Sequence, residues 1–415
     1  MIKIRKISLF FCLLLVSSYC FSMVYDNRFL PLFKRPYSKK IDAPSRLGAS
    51  FFATGANQAV GMHDDIIEIP ALYGSYNQKN LGQALVRCGC ENPLRHELQN
   101  VDLPWCINGR IKTQGVSLVY DQAVSKYIYV GGSFLFMSMD SLFCFTFDRG
   151  EFGWLPDRAE RELNDIYEAR CKMHNMIGIE DPNYHQIGFG DVDLYLRVGK
   201  IWDFLYKFRR IDAGVTVGAL LATGLCRNIN IPSSIPFGGN GHYGMYFSAD
   251  AEFELKEDMK IGFLARFNKR FAKTCTHRLP ICGEHPLFGA LRAPVKVNPG
   301  FTFIFAPYFS WEHLRQGLGF GAGYTLLYHN CDSWQDCRSA EQKNALPVDF
   351  ARVNGLTEWS CDYVTLSAFY DFSEYESIRK LDPVLYLSWD IPSVILVGSA
   401  IPKTNRVSLG LEVNF

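Results

Sequence analysis

Residues 245–268 read Met245-Tyr-Phe-Ser-Ala-Asp250-Ala-Glu-Phe-Glu-Leu-Lys-Glu-Asp-Met-Lys260-Ile-Gly-Phe-Leu-Ala-Arg266-Phe-Asn268. Met245, Phe247, Ala249, Ala251, Phe253 and Leu255 alternate with Tyr246, Ser248, Asp250, Glu252, Glu254 and Lys256. After a short turn, Ile261, Phe263, Ala265 and Phe267 alternate with Lys260, Gly262, Leu264, Arg266 and Asn268. A period of two residues is that of a β-strand, whose successive side chains point to opposite faces. Glu254 and Lys260 fall on the same face, so the turn between the strands must hold an odd number of residues. The stretch is a hairpin with one apolar face and one charged face.

The same alternation recurs along the chain. It runs through Val192, Leu194, Leu196 and Val198 against Asp191, Asp193, Tyr195 and Arg197, and through Ile211–Leu221 against Arg210, Asp212 and Gly214. It returns at 317–328 and again at 406–415, where Val407, Leu409, Leu411 and Val413 face away from Arg406, Ser408, Gly410 and Glu412. Strands of soluble domains average about 5–6 residues, whereas a strand that crosses a bilayer needs about 9–11. Backbone groups cannot stay unpaired in lipid, so such strands must close into a barrel. The expected fold is all-β: an antiparallel transmembrane β-barrel of about twelve strands. They lie near 45–55, 108–121, 124–138, 186–199, 206–222, 242–256, 260–271, 298–312, 316–330, 356–372, 381–390 and 404–415. Short turns alternate with long connections, which predicts long extracellular loops, partly helical over 155–178 and 78–87, and both termini on the periplasmic side. Positions near 235 and 345 are expected outside the cell. A loop helix at 155–178 could fold inward as a constriction or stay as a charged surface helix.

The chain has 415 residues with 43 basic and 42 acidic side chains, which gives no footing for nucleic-acid binding. Lys3, Arg5 and Lys6 precede the apolar run Ile7–Val16, and Cys20 and Ser22 suit a cut before Met23. Residues 1–22 are therefore read as a cleaved signal peptide, 23–44 as a periplasmic or plug segment, and 45–415 as the barrel. Trp311, Tyr324, Tyr328, Trp359, Tyr370 and Phe372 are expected on the outer face as interfacial girdles. No G-x-S-x-G, Walker loop or H-E-x-x-H is present, and no enzyme, cofactor or metal site is expected.

Gly188-Phe-Gly-Asp191-Val-Asp193-Leu-Tyr-Leu196 resembles the Gly-x-Gly-Asp strand opening of porin-like barrels related to long-chain fatty-acid and aromatic-hydrocarbon transporters. Asp26-Asn-Arg-Phe-Leu-Pro31 departs from the Asn-Pro-Ala hatch motif of the fatty-acid transporters. The resemblance implies an outer-membrane transport barrel. The final Phe415 resembles the C-terminal signature that barrel-insertion machinery reads, which makes that machinery and outer-membrane lipids the expected partners.

On parity, the lumen is expected to carry Asp191, Asp193, Arg197, Arg210, Asp212, Asp250, Glu252, Glu254, Lys260, Arg266, Arg406 and Glu412. Opposed charges of this kind filter small solutes by size and charge. The alternative is that they are ion pairs filling a closed structural or adhesive barrel. Eleven cysteines follow residue 22, and Cys88, Cys90, Cys106, Cys275, Cys282, Cys331 and Cys337 are disulfide candidates in loops. Cys275 and Cys282 are the expected local pair, with Pro280 and Gly283 favouring a chain reversal there. An odd count leaves a free thiol or a link to a second chain, so a disulfide-linked or homo-oligomeric assembly stays open.

Overall fold

The computed structural model describes residues 27–29, 44–147, 159–204, 209–256, 258–315, 317–372 and 382–415. The expected signal peptide, most of the 23–44 segment and the start of the 155–178 helix lie outside these residues. Twelve antiparallel strands form the barrel: β1 Ser45–Ala56, β2 Pro104–Ala123, β3 Ile128–Phe147, β4 Val192–Asp203, β5 Arg210–Leu221 and β6 Gly244–Lys256. The second half is β7 Met259–Arg270, β8 Phe301–Arg315, β9 Leu318–His329, β10 Trp359–Asp371, β11 Val384–Ser393 and β12 Asn405–Asn414. Each strand pairs with its sequence neighbours, and β1 also pairs with β12, so the sheet has no free edge. Ser45 N donates to Phe415 O at 2.9 Å and Phe415 N returns the bond at 3.0 Å, which places both barrel termini at the short-turn end.

The hairpin that opened the sequence reading has its charged residues in register. Glu254 pairs with Lys260, Glu252 with Gly262 and Asp250 with Leu264, and a bulge at Lys256/Met259 takes up the odd-numbered turn. Alternation sends Phe51, Leu194, Val217, Phe247, Phe267, Leu387 and Leu409 to the outside, where they remain exposed in the isolated chain. A continuous apolar exterior on a closed sheet is what lipid requires. No helix among the described residues is long and apolar enough to span a membrane.

β2 and β3 have twenty residues each, about twice what a bilayer needs. Their turn lies at 124–127 and the excess projects from the end that bears the long connections, called here the outer mouth. There the inward side chains Trp105, Ile107, Phe143 and Phe147 form an apolar wall. Helices α1 (Gln78–Arg87) and α2 (Ala159–Met176) lie on that wall, burying Leu81 and Leu85 from one and Ile166, Ala169 and Met173 from the other. Asn77 caps α1 by accepting the Lys79 N–H. Gln78 joins the parts, donating to Ile166 O at 3.0 Å and accepting from Trp105 Nε1 at 2.9 Å. The Arg170 guanidinium lies over Phe145 and Trp105, 4.2 and 4.8 Å from the ring centroids. The α2 helix is thus part of a cap packed on the inward wall at the mouth. A three-stranded sheet (Lys273–Leu279, Leu291–Asn298, Ser333–Asp336) with its own core of Leu279, Ala293, Val295 and Val297 stands beside it.

Trp311 is exposed on the lipid side as expected, and Tyr370 packs edge-on against Phe372. Trp359 departs from the expectation. It is the first residue of β10 and shares parity with the inward Cys361 and Tyr363, so it is buried and stacks on His329 at 5.5 Å.

Candidate functional site

The inward face encloses a cavity of about 200 Å³ toward the short-turn end. Four arginines line it, Arg46, Arg197, Arg266 and Arg406, against seven carboxylates, Asp121, Asp193, Asp212, Asp250, Glu252, Asp390 and Glu412. Arg197 bridges Asp212 at 3.0 Å and Asp250 at 2.5 Å. Arg46 reaches Asp121 at 2.9 Å and Glu412 at 3.6 Å, and Tyr195 also donates to Asp121. Arg406 meets Asp390 at 2.5 Å, which also accepts from Thr365. Arg266 lies 3.4 Å from Asp193 and 3.4 Å above the Tyr246 ring, and Tyr308 donates to Glu252 at 2.7 Å. Pairing every arginine to a carboxylate shortens the reach of each charge but leaves the wall three charges negative by formal count.

Eight of the twelve residues read from parity therefore line this cavity: Asp193, Arg197, Asp212, Asp250, Glu252, Arg266, Arg406 and Glu412. Arg210, Glu254 and Lys260 sit below it at the short-turn rim, with Arg210 near Asp203 and Glu254, and Lys260 on Glu312 at 2.8 Å. Parity missed Arg46, Asp121 and Asp390. Each lies on the inward face of a strand whose apolar set was itself readable, and partner charge was the remaining signal.

Asp191 is different. Fully buried, it lines no cavity; its carboxylate accepts Gly224 N at 3.0 Å and Gly239 N at 2.7 Å and pairs with Arg270 at 2.7 Å. Gly224 and Gly239 are the two ends of the 223–241 connection, so one carboxylate pins that loop into the barrel. A Cβ at Gly238 would collide with the same carboxylate. Within the loop Ile235 and Phe237 are buried against Leu135, Met137 and Met139 of β3, Ile304 of β8, Leu327 of β9, and Cys361 and Tyr363 of β10. Phe29 joins this layer, and Asn27 donates to Pro236 O at 2.6 Å. The expectation that a position near 235 is accessible outside the cell is corrected: Ser233, Ser234 and Ile235 are all buried.

The apolar layer divides the interior. On β8 Tyr308 and Ala306 line the inner cavity, Ile304 is in the layer and Thr302 lines a second, outer cavity. The order repeats on β9 with Thr325, Leu327 and His329, and on β10 with Thr365, Tyr363 and Trp359. The outer chamber, about 250 Å³, shares no lining residue with the inner one. Its floor includes Arg270, and its walls come from the 223–241 loop, the 273–298 hairpin and residues 329–334.

Around the mouth, burial keeps His174 and His285 neutral. Burial, with Arg170 and Arg278 adding, holds His174 down to about 3, and its Nε2 lies 2.9 Å from the Tyr76 hydroxyl. Burial likewise holds His285 down to about 4, with Nε2 on Pro70 O at 3.0 Å. Glu284 is buried and raised by that burial, and its carboxylate accepts the Ile281 and Cys282 N–H groups.

No disulfide joins the eleven described cysteines: Cys88, Cys90, Cys106, Cys275, Cys282, Cys331 and Cys337 are all thiols, as are the other four. The expected Cys275–Cys282 bond is absent: Cys275 lies within the strand Lys273–Leu279, opposite Val295, whereas Cys282 lies beyond the strand's end, its N–H bonded to Glu284. Cys282 instead lies within electrostatic reach of Cys88, and Cys226 within that of Cys275. Among the described residues no three His, Cys, Asp or Glu side chains gather as metal ligands would.

A closed twelve-stranded sheet with an apolar exterior and a charged interior defines the class: a transmembrane β-barrel of the outer-membrane type. No protein-family model and no curated protein matches the chain. Among solved structures it is similar to an outer-membrane channel from Pseudomonas putida F1, with 10% identity over 92% of this chain and 100% of that one and a TM-score of 0.46. The translocator domain of the autotransporter NalP from Neisseria meningitidis has 8% identity, 92% and 90% coverage and a TM-score of 0.37. A Pseudomonas aeruginosa FadL homologue has 9% identity, 90% and 91% coverage and a TM-score of 0.34.

Proposed function

We propose that the barrel is an outer-membrane channel for passive passage of small solutes, with a cation-preferring lumen and the apolar layer as its gate. The observation that carries this reading is the inner cavity, lined from the wall strands by four arginines and seven carboxylates. An excess of negative wall charge raises the local concentration of cations in a confined aqueous path. Ile235 and Phe237 belong to a loop held at its two ends by Asp191, so displacing one segment joins the chambers without breaking a wall strand.

The test is single-channel recording in planar bilayers. The unaltered protein should conduct weakly. Phe237→Ser, which replaces the largest loop side chain of the layer with a small polar one, should raise conductance several-fold. In a salt gradient the reversal potential should have the sign of cation preference. A barrel that passes no steady current in either form would sink the channel reading and favour a structural or adhesive surface barrel, which the ordered cap with its exposed thiols would suit.

A further inference from the structure

Among the described residues, the outer chamber carries positive charge that its walls do not neutralise. Arg28, Arg227 and Arg278 line it, and the bonds they make among the described residues go mainly to backbone carbonyls. Arg28 donates to Leu356 O at 3.1 Å, Arg227 to Pro232 O at 3.3 Å, and Arg278 to Ile229 O at 2.6 Å and Ile177 O at 3.0 Å. Arg28 and Arg227 flank a single ring, 4.4 and 5.8 Å from the Tyr73 centroid. The chamber's one carboxylate, Asp332, is engaged by Gly300 N and His329. Burial and the neighbouring Arg28 hold Arg227 below the usual arginine range, and burial with Arg292 and Arg227 lowers Arg278 to about 10. Like charges confined in this way are relieved by an anion.

A second, independent observation points to a ligand. Three buried nitrogens without a hydrogen-bond partner, Arg227 Nε, His277 Nε2 and Trp334 Nε1, belong to residues that line this same chamber. His277 is neutral, held down to about 4 by burial, and its ring lies 4.6 Å from that of Trp334. Trp359, stacked on His329, adds another flat wall. Unsatisfied buried donors are rare in native proteins, and the Arg227 Nε–H and Trp334 indole N–H beside one chamber call for an acceptor.

We propose that the outer chamber binds a small planar organic carboxylate, its head group among Arg28, Arg227 and the Trp334 indole N–H and its ring against the aromatic walls. A chamber of about 250 Å³ holds a single-ring acid. The site lies on the mouth side of the apolar layer, so its occupation needs no passage through the lumen and stands or falls apart from conduction.

Isothermal titration of the full-length protein in detergent micelles tests it, with benzoate as probe, benzamide as the neutral probe of like shape, and inorganic phosphate as an anion without a ring. Benzoate should saturate one site per chain, with benzamide and phosphate each at least about tenfold weaker. Arg227→Gln and Arg28→Gln, on separate segments, should each weaken benzoate about tenfold while the barrel keeps its β-sheet circular dichroism. Equal binding of benzamide would overturn the role of charge, and equal binding of phosphate would overturn the role of the ring. Absence of saturable benzoate binding to the unaltered protein would overturn the site altogether, as would two folded variants that bind like it.

Discussion

Asp191 accepts N–H groups from both ends of one loop and also pairs with Arg270 at the end of β7. Asp191→Ala would leave Arg270 buried without its carboxylate, a change that costs about 3–5 kcal/mol, and would free residues 223–241 from the wall. Asp191→Asn, which keeps one acceptor oxygen, should cost less. Thermal unfolding in detergent reads the first effect and hydrogen exchange over 223–241 the second; unchanged exchange in both variants would refute the anchoring role. Single residues also test the two-faced wall. Phe263→Arg on the lipid side should cost roughly 2–4 kcal/mol, whereas Leu264→Arg, one position on and lining the inner cavity, should cost much less and alter ion preference. Equal destabilisation would mean that β7 does not separate lipid from lumen.

Among the elements, the cap over the mouth is the acid-sensitive one. His174 and His285 flank Phe288, at 5.1 and 5.4 Å between ring centroids, and are held at about 3 and about 4 against an ordinary 6.5. Their folded values are depressed, so between pH 6.5 and about 4 the opened cap binds protons that the packed cap refuses, and stability falls with pH. Each histidine contributes up to roughly 1.4 kcal/mol per pH unit, and Glu284, raised by burial, opposes the trend by a single proton. Amides of α1 and α2 should therefore lose protection at pH 4.5 relative to pH 7, after correction for intrinsic exchange, while β4–β12 keep theirs. The wall strands were legible in the sequence because lipid on one side and water on the other impose strict alternation, as in 245–256. The loop at 226–240, Cys226-Arg-Asn-Ile-Asn-Ile-Pro-Ser-Ser-Ile-Pro-Phe237-Gly-Gly-Asn240, has no period, and its inward path depends on two backbone N–H groups meeting Asp191. Parity assigned Asp191 to the inner face but carried no information on which loop it holds. The cysteines misled for a related reason: nearness along the chain favoured Cys275 with Cys282, whereas Cys275 lies within a strand and Cys282 beyond its end, within electrostatic reach of Cys88.

Across the whole molecule, the closed sheet keeps two chambers coaxial, the outer one lined by four arginines and one aspartate, the inner by four arginines and seven carboxylates. Once the layer between them is opened, as in Phe237→Ser, an anion-attracting zone and a cation-attracting zone lie in series, which is the arrangement of an ionic diode. Making the short-turn side positive drives anions in through the mouth and cations in through the lumen, so carriers accumulate at the junction and current is large. The opposite polarity sweeps both away and starves it. Current–voltage curves of Phe237→Ser at 0.1 M salt should rectify in that sense, and an added Arg227→Gln should flatten them. At 1 M, where the Debye length shrinks to about 3 Å, the asymmetry should fade, because each chamber's charge is then screened before it reaches the axis.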